Sequence, residues 1–216
     1  MSGAARVVNL GLPKSGTTTL GRALRRSGMT TADHRIQDRQ ATAQASAGAY
    51  VADLLYAGYF GSGDPLEKLA GFDALSEISV LRERQPAWPQ MDHGIISAIR
   101  DRHPEVYFVA SWRDPREISE SMLNWTNMVA RMERAALPGL PVGYGAGEAE
   151  RIRWIEAHYA FLETVMSGDR RFLILDVAAP DARERLAGFL GRDLPWWGQA
   201  NRNPRAKASR DGATAG

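Results

Sequence analysis

The stretch GLPKSGTT, residues 11–18, constrains the fold more than any other part of the sequence. The apolar run ARVVNLGL, residues 5–12, leads into it and is typical of a buried parallel strand. TTTLGRALRRSG follows as an amphipathic helix with Gly28 as its C-terminal cap. A strand, a glycine-containing turn and a helix in this order form the setting that a phosphate-binding loop needs.

The two glycines of this stretch have the spacing of a P-loop, G-x-x-x-x-G-K-[ST], but the lysine does not. Thr17 follows the second glycine, and the lysine comes three residues earlier, as Lys14. A glycine turn with a solvated lysine is the alternative, and the flanking strand and helix favour an anion site. Lys14 would be its mobile cation, and its backbone N–H and hydroxyl donors would come from Ser15, Gly16, Thr17 and Thr18.

The rest of the chain alternates extended and helical patterns, which predicts an α/β sheet with helices on both faces. FDALSEISVL, from residue 72, fits either a strand or a short helix, and the glycine- and proline-rich stretch 137–148 predicts a loop. The other predicted strands are 29–36, 106–112 and 171–177, and the other predicted helices are 41–60, 92–103, 149–167 and 181–190, with one more from Asp114.

The helix from Asp114 begins with good capping residues, because Asp caps a helix and Pro115 suits its first position. A single apolar stripe is predicted along it, formed by Ile118, Met122, Trp125, Val129 and Met132.

Composition excludes several classes of function. The chain has no cysteine, which excludes disulfides, thiolate catalysis and thiolate metal sites. A net charge of +2, from 27 basic and 25 acidic residues, favours a local anion site over a nucleic-acid-coating surface. We find no signal peptide and no apolar run near the roughly 18 residues of a membrane span, so we predict a cytoplasmic protein. Residues 1–205 are predicted to form one domain and 206–216 a disordered tail.

PKSGTT at 13–18 resembles the 5′-phosphosulfate loop, P-K-[ST]-G-T-T, of the PAPS-dependent sulfotransferase family. The resemblance implies a P-loop-like three-layer fold with a central, mostly parallel sheet flanked by helices. It also implies 3′-phosphoadenosine-5′-phosphosulfate (PAPS) as sulfuryl donor, adenosine 3′,5′-bisphosphate (PAP) as product, and no metal. In the family the early lysine stabilises charge on the bridging oxygen, and Lys14 would do so here.

A second motif has the family's spacing for the cofactor's 3′-phosphate, an arginine after a central strand and a serine eight residues later. Arg113 and Ser121 fit it. The planar guanidinium suits a phosphate, and the serine lies about two turns along the following helix. The alternatives are a surface salt bridge of Arg113 with Asp114 or Glu117, and a hydroxyl on the helix face for Ser121.

The resemblance covers most of residues 5–205 and is greatest to a branch of small bacterial and eukaryotic sulfotransferase-like proteins. Thr19 stands where cytosolic members carry the tryptophan that stacks on adenine, so that platform would come from elsewhere, with Trp125 a weak candidate. The family's C-terminal R-K-G-x-x-G segment is also missing. Arg202 and Arg205, in NRNPR, are its predicted substitutes, with a solvated tail as the alternative.

The catalytic base is predicted less sharply than the cofactor loop. Sulfuryl transfer to a hydroxyl or amine needs a group that takes the acceptor's proton. The family uses histidine or glutamate, and His34 and Glu77 are the two candidates, with Glu77 slightly favoured by its place in FDALSEI. His93 and Asp92 lie on a helix predicted to be further from the loop.

The leading hypothesis is therefore a sulfotransferase that acts on a small-molecule or sugar acceptor. A P-loop kinase is the second hypothesis. It needs magnesium and an acid at a strand end, which Asp176 would supply, but it lacks the lysine after Gly16. A catalytically silent nucleotide-binding member of the family is the third. Neither the acceptor nor the oligomeric state can be read from the sequence.

Overall fold

Five parallel strands form one sheet in the computed structural model, which describes residues 6–198. The spatial order is β2-β3-β1-β4-β5. The strands are β1 (Arg6–Asn9), β2 (Thr31–Ala32), β3 (Ala74–Leu75), β4 (Val106–Trp112) and β5 (Phe172–Asp176). This sheet confirms the predicted α/β class, and it resolves FDALSEISVL as a short strand.

The described residues contain seven α-helices. They are α1 (Thr17–Arg26), α2 (Val51–Ser62), α3 (His93–Arg102), α4 (Pro115–Leu123), α5 (Met128–Arg134), α6 (Glu148–Val165) and α7 (Ala182–Leu190). The helices predicted at 92–103, 149–167 and 181–190 are confirmed within one or two residues.

The helices cover both faces of the sheet, because successive strand residues point to opposite sides. Val7 and Val109 pack with the apolar residues of α1 and α7. Val8 and Phe108 pack on the opposite face with a larger cluster to which α2, α3, α4 and α6 contribute. The result is the three-layer arrangement expected from the alternating pattern.

The strand β1 lies between β3 and β4, and its loop therefore opens where the chain order of the sheet reverses. Val7 pairs with Ala74 on one side and with Tyr107 on the other. In open parallel sheets, the crevice at such a switch point, beyond the carboxyl ends of the strands, is where ligands bind.

The helix predicted over 41–60 is wrong in its first half, since α2 begins only at Val51. The hydroxyl of Thr42 accepts hydrogen bonds from the backbone N–H groups of Gln44 and Ala45, and such local bonds compete with helix formation. Gly48, with φ of 78°, turns the chain before the helix starts.

The helix predicted from Asp114 is two helices, because the chain breaks between α4 and α5. Asn127, with φ of 43°, stands in the left-handed region at this break. The rotation brings Met128 into the core and leaves Trp125 51% exposed. Trp125 is therefore wrong as a member of the predicted stripe, whereas Ile118, Met122 and Met132 are buried.

Across residues 6–198, no helix combines the length and the apolar character that crossing a membrane requires. The predicted single domain over 1–205 stays a prediction.

Candidate functional site

The predicted site residues lie at the carboxyl ends of neighbouring strands. The GLPKSGTT loop follows β1, Arg113 directly follows β4, and Glu77 lies two residues after β3. His34 lies two residues after β2. Because parallel strands present their carboxyl ends at one edge, the fold brings these distant segments of the chain to the same side of the sheet.

Both glycines of the loop are required by their surroundings. A Cβ on Gly11 would collide with the hydroxyl oxygen of Ser111 on β4. Gly16 has φ of 106°, and a Cβ there would come within 2.5 Å of Val177. Lys14 also has positive φ, 74°, a conformation that costs a non-glycine residue free energy and is typical of functional loops.

The first turn of α1 is open to an anion. Gly16 is its N-terminal cap and offers no side chain, and the first turn contains no acidic residue. The backbone N–H groups of Gly16, Thr17 and Thr18 donate to no acceptor in the described part of the chain. Unpaired N–H groups and the positive end of the helix dipole together favour a bound anion.

A buried polar network holds the loop from below. The Asn9 side-chain oxygen accepts hydrogen bonds of 3.0 Å from the backbone N–H groups of Gly11 and Ser111. The Asn9 amide donates to the Ser76 carbonyl at 2.7 Å and to the Ser111 hydroxyl at 3.1 Å. Ser15 joins this network, because its hydroxyl lies 2.7 Å from that of Ser111. The strand β1 ends at Asn9, whose side chain bonds to the backbone of Gly11 and Ser111, and it is therefore shorter than the predicted run 5–12.

Helix α6 adds two buried side chains beneath the same loop. His158 donates from Nε2 to the Leu10 carbonyl at 2.8 Å, and Tyr159 donates to the Ser111 carbonyl at 2.7 Å. Burial lowers the pKa of His158 to about 4, so the ring is neutral and acts as a fixed donor. These contacts fix the backbone on both sides of the loop's first glycine.

Lys14 lies among charged groups but forms no ion pair with any residue between Arg6 and Gly198. Its Nζ is 3.6 Å from the centroid of the Trp125 ring, a cation–π contact. Burial lowers its pKa, the nearby carboxylate of Glu77 raises it, and the nearby Arg113 lowers it further. The loop lysine, the candidate base and the candidate 3′-phosphate arginine are therefore close enough to interact electrostatically.

Glu77 is partly buried and has a strongly perturbed pKa. Burial raises this pKa to about 7, while hydrogen bonds from Ser79 and the side chain of Thr17 act in the opposite direction. The Ser79 hydroxyl donates to its Oε1 at 2.6 Å, and the Ser79 N–H lies 3.3 Å from the same oxygen. A carboxyl group that titrates near neutral pH is suited to act as a general base.

His34 is connected to Glu77 through Ser79. Its Nδ1 lies 2.9 Å from the Ser79 carbonyl, which can only accept, so Nδ1 carries the proton and Nε2 keeps its lone pair. Burial lowers the pKa of His34, and its ring packs edge-on against Tyr50. One residue thus orients both candidate bases.

Arg113 forms a salt bridge of 2.6 Å with Glu117, one of the alternatives that the sequence left open. Ser121 lies half-buried on α4, eight residues further along, and no recorded contact joins it to the loop among residues 6–198. Ser15 supports the loop from within, since its backbone N–H donates to the Leu12 carbonyl at 3.2 Å and its hydroxyl faces β4. Arg202 and Arg205 lie outside the described residues.

Several residues of this site were not predicted, namely Asn9, Ser79, Ser111, His158 and Tyr159, and neither was the contact of Trp125 with Lys14. Asn9 and Ser111 carry a signal, because each is a polar residue inside an otherwise apolar strand, and buried polar groups need partners. Ser79 has no comparable signal, since its two hydrogen-bond partners become neighbours only in the folded chain.

Comparisons with known proteins add no family to these observations. No protein-family model matches this chain, and no curated protein matches it in sequence. Between Arg6 and Gly198, no group of three or more His, Asp or Glu side chains is placed to hold a metal ion. The sulfotransferase resemblance and the expected independence of metals therefore stay predictions.

Proposed function

We propose that this protein is a PAPS-dependent sulfotransferase that moves a sulfuryl group to a hydroxyl or amine of a small-molecule or sugar acceptor. The observation that carries the proposal is that Lys14 and Glu77 lie close enough to interact electrostatically beside the open end of α1, where the side chain of Thr17 is hydrogen-bonded to Glu77. A cation with no ion-pair partner in the described part of the chain and a carboxyl group that titrates near pH 7 are the two groups that such a transfer needs. The cytoplasmic location belongs to the same proposal.

The residues present fit a phosphosulfate. The free N–H groups of residues 16–18 and the ammonium of Lys14 form the donor set. Within residues 6–198 no carboxylate forms an ion pair with this lysine, although Glu77 lies close enough to interact with it electrostatically. Gly16 keeps the chain close to Val177, so this donor set is held in a fixed turn. The loop would therefore hold the phosphosulfate end of the donor, and Lys14 would face the group that carries the developing charge.

The chain's own residues would balance charge and accept a proton once the donor brings a sulfuryl group on a phosphate leaving group. Lys14 would balance negative charge on the leaving side. Glu77, ionised above about pH 7, would accept the acceptor's proton at its carboxylate while Ser79 keeps that carboxylate oriented. His34, with its free Nε2, would be the second candidate for the same proton.

Arg113 would bind the 3′-phosphate only after it leaves Glu117. The present ion pair is exposed, with 32% and 53% of the two side chains accessible, so its net contribution to stability is small. A phosphate that takes both ends of the planar guanidinium competes well with such a pair. Ser121, two turns along the helix, would be the second ligand of that phosphate.

A transfer assay with PAPS carrying ³⁵S tests the proposal. We expect wild-type protein, incubated with pooled phenols, sugars and amines, to incorporate label into an organic product without added magnesium. Lys14→Met should abolish incorporation, and Glu77→Gln should reduce it at least tenfold, whereas Lys68→Met is the matched control and should have no effect. Nucleotide binding without any labelled product would favour the silent binding protein, and magnesium-dependent ATP turnover would favour the kinase.

A further inference from the structure

The partner of Lys14 in the ligand-free protein is an aromatic ring. Its ammonium lies 3.6 Å from the centroid of Trp125, and no carboxylate among residues 6–198 is within ion-pair distance of it. The Lys14 ammonium, which the proposed reaction needs, is therefore already in contact with Trp125. The family resemblance assigns no role to this contact.

Core packing does not explain the position of Trp125. The ring is half exposed, and its residue lies in the four-residue connection between α4 and α5 rather than on a helix. The connection itself is ordered, since the Trp125 N–H donates to the Met122 carbonyl and its carbonyl accepts from Met128. The ordered backbone therefore holds the Trp125 ring in a defined position beside Lys14. The cation–π contact with Lys14 is the interaction that the ring makes there.

An anion in the loop and the Trp125 ring would compete for the same ammonium. A charge-assisted contact with a phosphate or sulfate oxygen is stronger than an exposed cation–π contact, so the exchange favours the anion. The anion can bind Lys14 only after the contact with Trp125 is broken. Breaking an exposed cation–π pair of ordinary strength should weaken anion binding by about two- to fivefold.

We propose that Trp125 is a positioning residue for Lys14. It holds the ammonium over the loop in the ligand-free protein and releases it when an anion binds. This inference rests on the proposed function, since it needs an anion in the loop. It predicts that the ring keeps Lys14 in place at the cost of some donor affinity.

Lysine-selective NMR tests the contact directly, because the chain has only three lysines, Lys14, Lys68 and Lys207. With ¹³C-labelled lysine, the ε-methylene signal of Lys14, assigned by its loss in Lys14→Met, should be shifted upfield by the indole ring current. Trp125→Leu should remove that shift, and Trp125→Phe should keep part of it. Leu123→Ala changes another exposed apolar residue two positions away and should leave the signal unchanged.

The same labelled proteins, titrated with PAP, test the exchange. In the wild type, saturation should move the Lys14 signal out of the upfield region. Trp125→Leu should bind PAP about two- to fivefold more tightly than the wild type, with Trp125→Phe between them. A general loss of structure would weaken binding in both variants and would not produce this order.

Three results would overturn the inference, and they separate it from the proposed function. An unshifted Lys14 signal in the ligand-free wild type would exclude the contact. Tight PAP binding that is equal or weaker in Trp125→Leu would exclude the competition and leave the proposed function intact. Failure of PAP to bind the wild type at all would remove both.

Discussion

Ionisable side chains at the two ends of this sheet differ in the partners that they have. At the amino ends of the strands, His103 lies 2.7 Å from Asp64 and 3.2 Å from Glu105. Arg6, the first residue of β1, donates to the carbonyls of Phe72 and Leu69 at 3.2 and 3.1 Å. Each of these side chains has side-chain or backbone partners, and the arrangement joins the helix ends to the sheet.

At the carboxyl ends, Arg113 is paired with Glu117, but within residues 6–198 neither Lys14 nor Glu77 has a partner of opposite charge at ion-pair distance. Lys14 has a ring in place of a carboxylate and a backbone conformation that costs free energy. Burial raises the pKa of Glu77 to about 7 although a lysine is nearby. Perturbed and unpaired charges of this kind are typical of functional sites, and so the contrast favours our proposal of a site at this end.

The largest effect that we expect from this contrast is a pH dependence of stability caused by Glu77. Its folded-state pKa, about 7, lies above the ordinary value of 4.5, so the folded protein binds this proton more tightly. The stabilisation is complete below about pH 4.5 and is lost as the pH rises through 7, a difference on the order of 3 kcal/mol before screening by water. Urea unfolding at several pH values should show it.

The control for that experiment is Glu77→Gln, which cannot ionise. The difference in unfolding free energy between wild type and variant should change across this pH window in favour of the variant. A constant difference from pH 4.5 to 8 would mean that the carboxyl group titrates normally.

Removing the charge of Lys14 is the second expected effect. Lys14→Met should weaken PAP binding by about 10- to 100-fold, the worth of a charge-assisted hydrogen bond. The folded protein should lose little stability, because no carboxylate of residues 6–198 is ion-paired with Lys14 and would be left unpaired by the change. Calorimetric titration measures the affinity, and Lys68→Met, in the short 3-10 helix Glu67–Leu69, should bind as the wild type does. Equal affinity in the two variants would contradict this prediction.

The third effect is the reverse of the second and lies at the amino ends. Arg6→Met leaves two carbonyls without their donor and should lower the free energy of unfolding by about 1 to 2 kcal/mol. PAP affinity should stay within about twofold of wild type, since the change of one hydrogen-bond network leaves the distant loop in place. Denaturation and PAP titration of the same sample measure the stability and the affinity. A loss of affinity with unchanged stability would refute the assignment of a stabilising role to the amino ends and a binding role to the carboxyl ends.

The smallest effect concerns the backbone of Lys14. Lys14→Gly should be more stable than Lys14→Ala by about 1 kcal/mol, because glycine adopts the φ of 74° without strain. At Lys68 the order should reverse or vanish. Thermal unfolding of the four variants makes the comparison, and a less stable Lys14→Gly would show that the turn is unstrained.

The sequence predicts the position of the loop well because the signals for strand, turn and helix lie in neighbouring residues, whereas the distant side chains that support the loop were not predicted. Gly16 and the first turn of α1 follow directly from the order strand, turn, helix. The break at Asn127 could not be predicted, since an asparagine in the left-handed region carries only a weak local signal. The contact of Trp125 with Lys14 depends on that break, and no periodicity within the predicted helix indicated it.

Long-range hydrogen bonds were the other part beyond sequence reasoning. Ser79 connects Glu77 with His34 only because β2 and β3 are neighbours in the sheet. Glu77 and His34 were predicted as separate candidate bases. The role of Ser79 in orienting both becomes visible only when β2 and β3 are seen to be neighbours in the sheet. Asn9 and Ser111, by contrast, could have been recognised as polar residues in apolar strands.

The most direct test of the central claim is calorimetric titration with PAP, with and without magnesium, on wild type and Arg113→Ala. The claim is that the carboxyl ends of the strands bind a 3′-phosphorylated adenosine nucleotide through Lys14, the open end of α1 and Arg113. It predicts micromolar binding that is independent of magnesium and is lost in Arg113→Ala. Absence of PAP binding, together with magnesium-dependent binding of ATP, would contradict it.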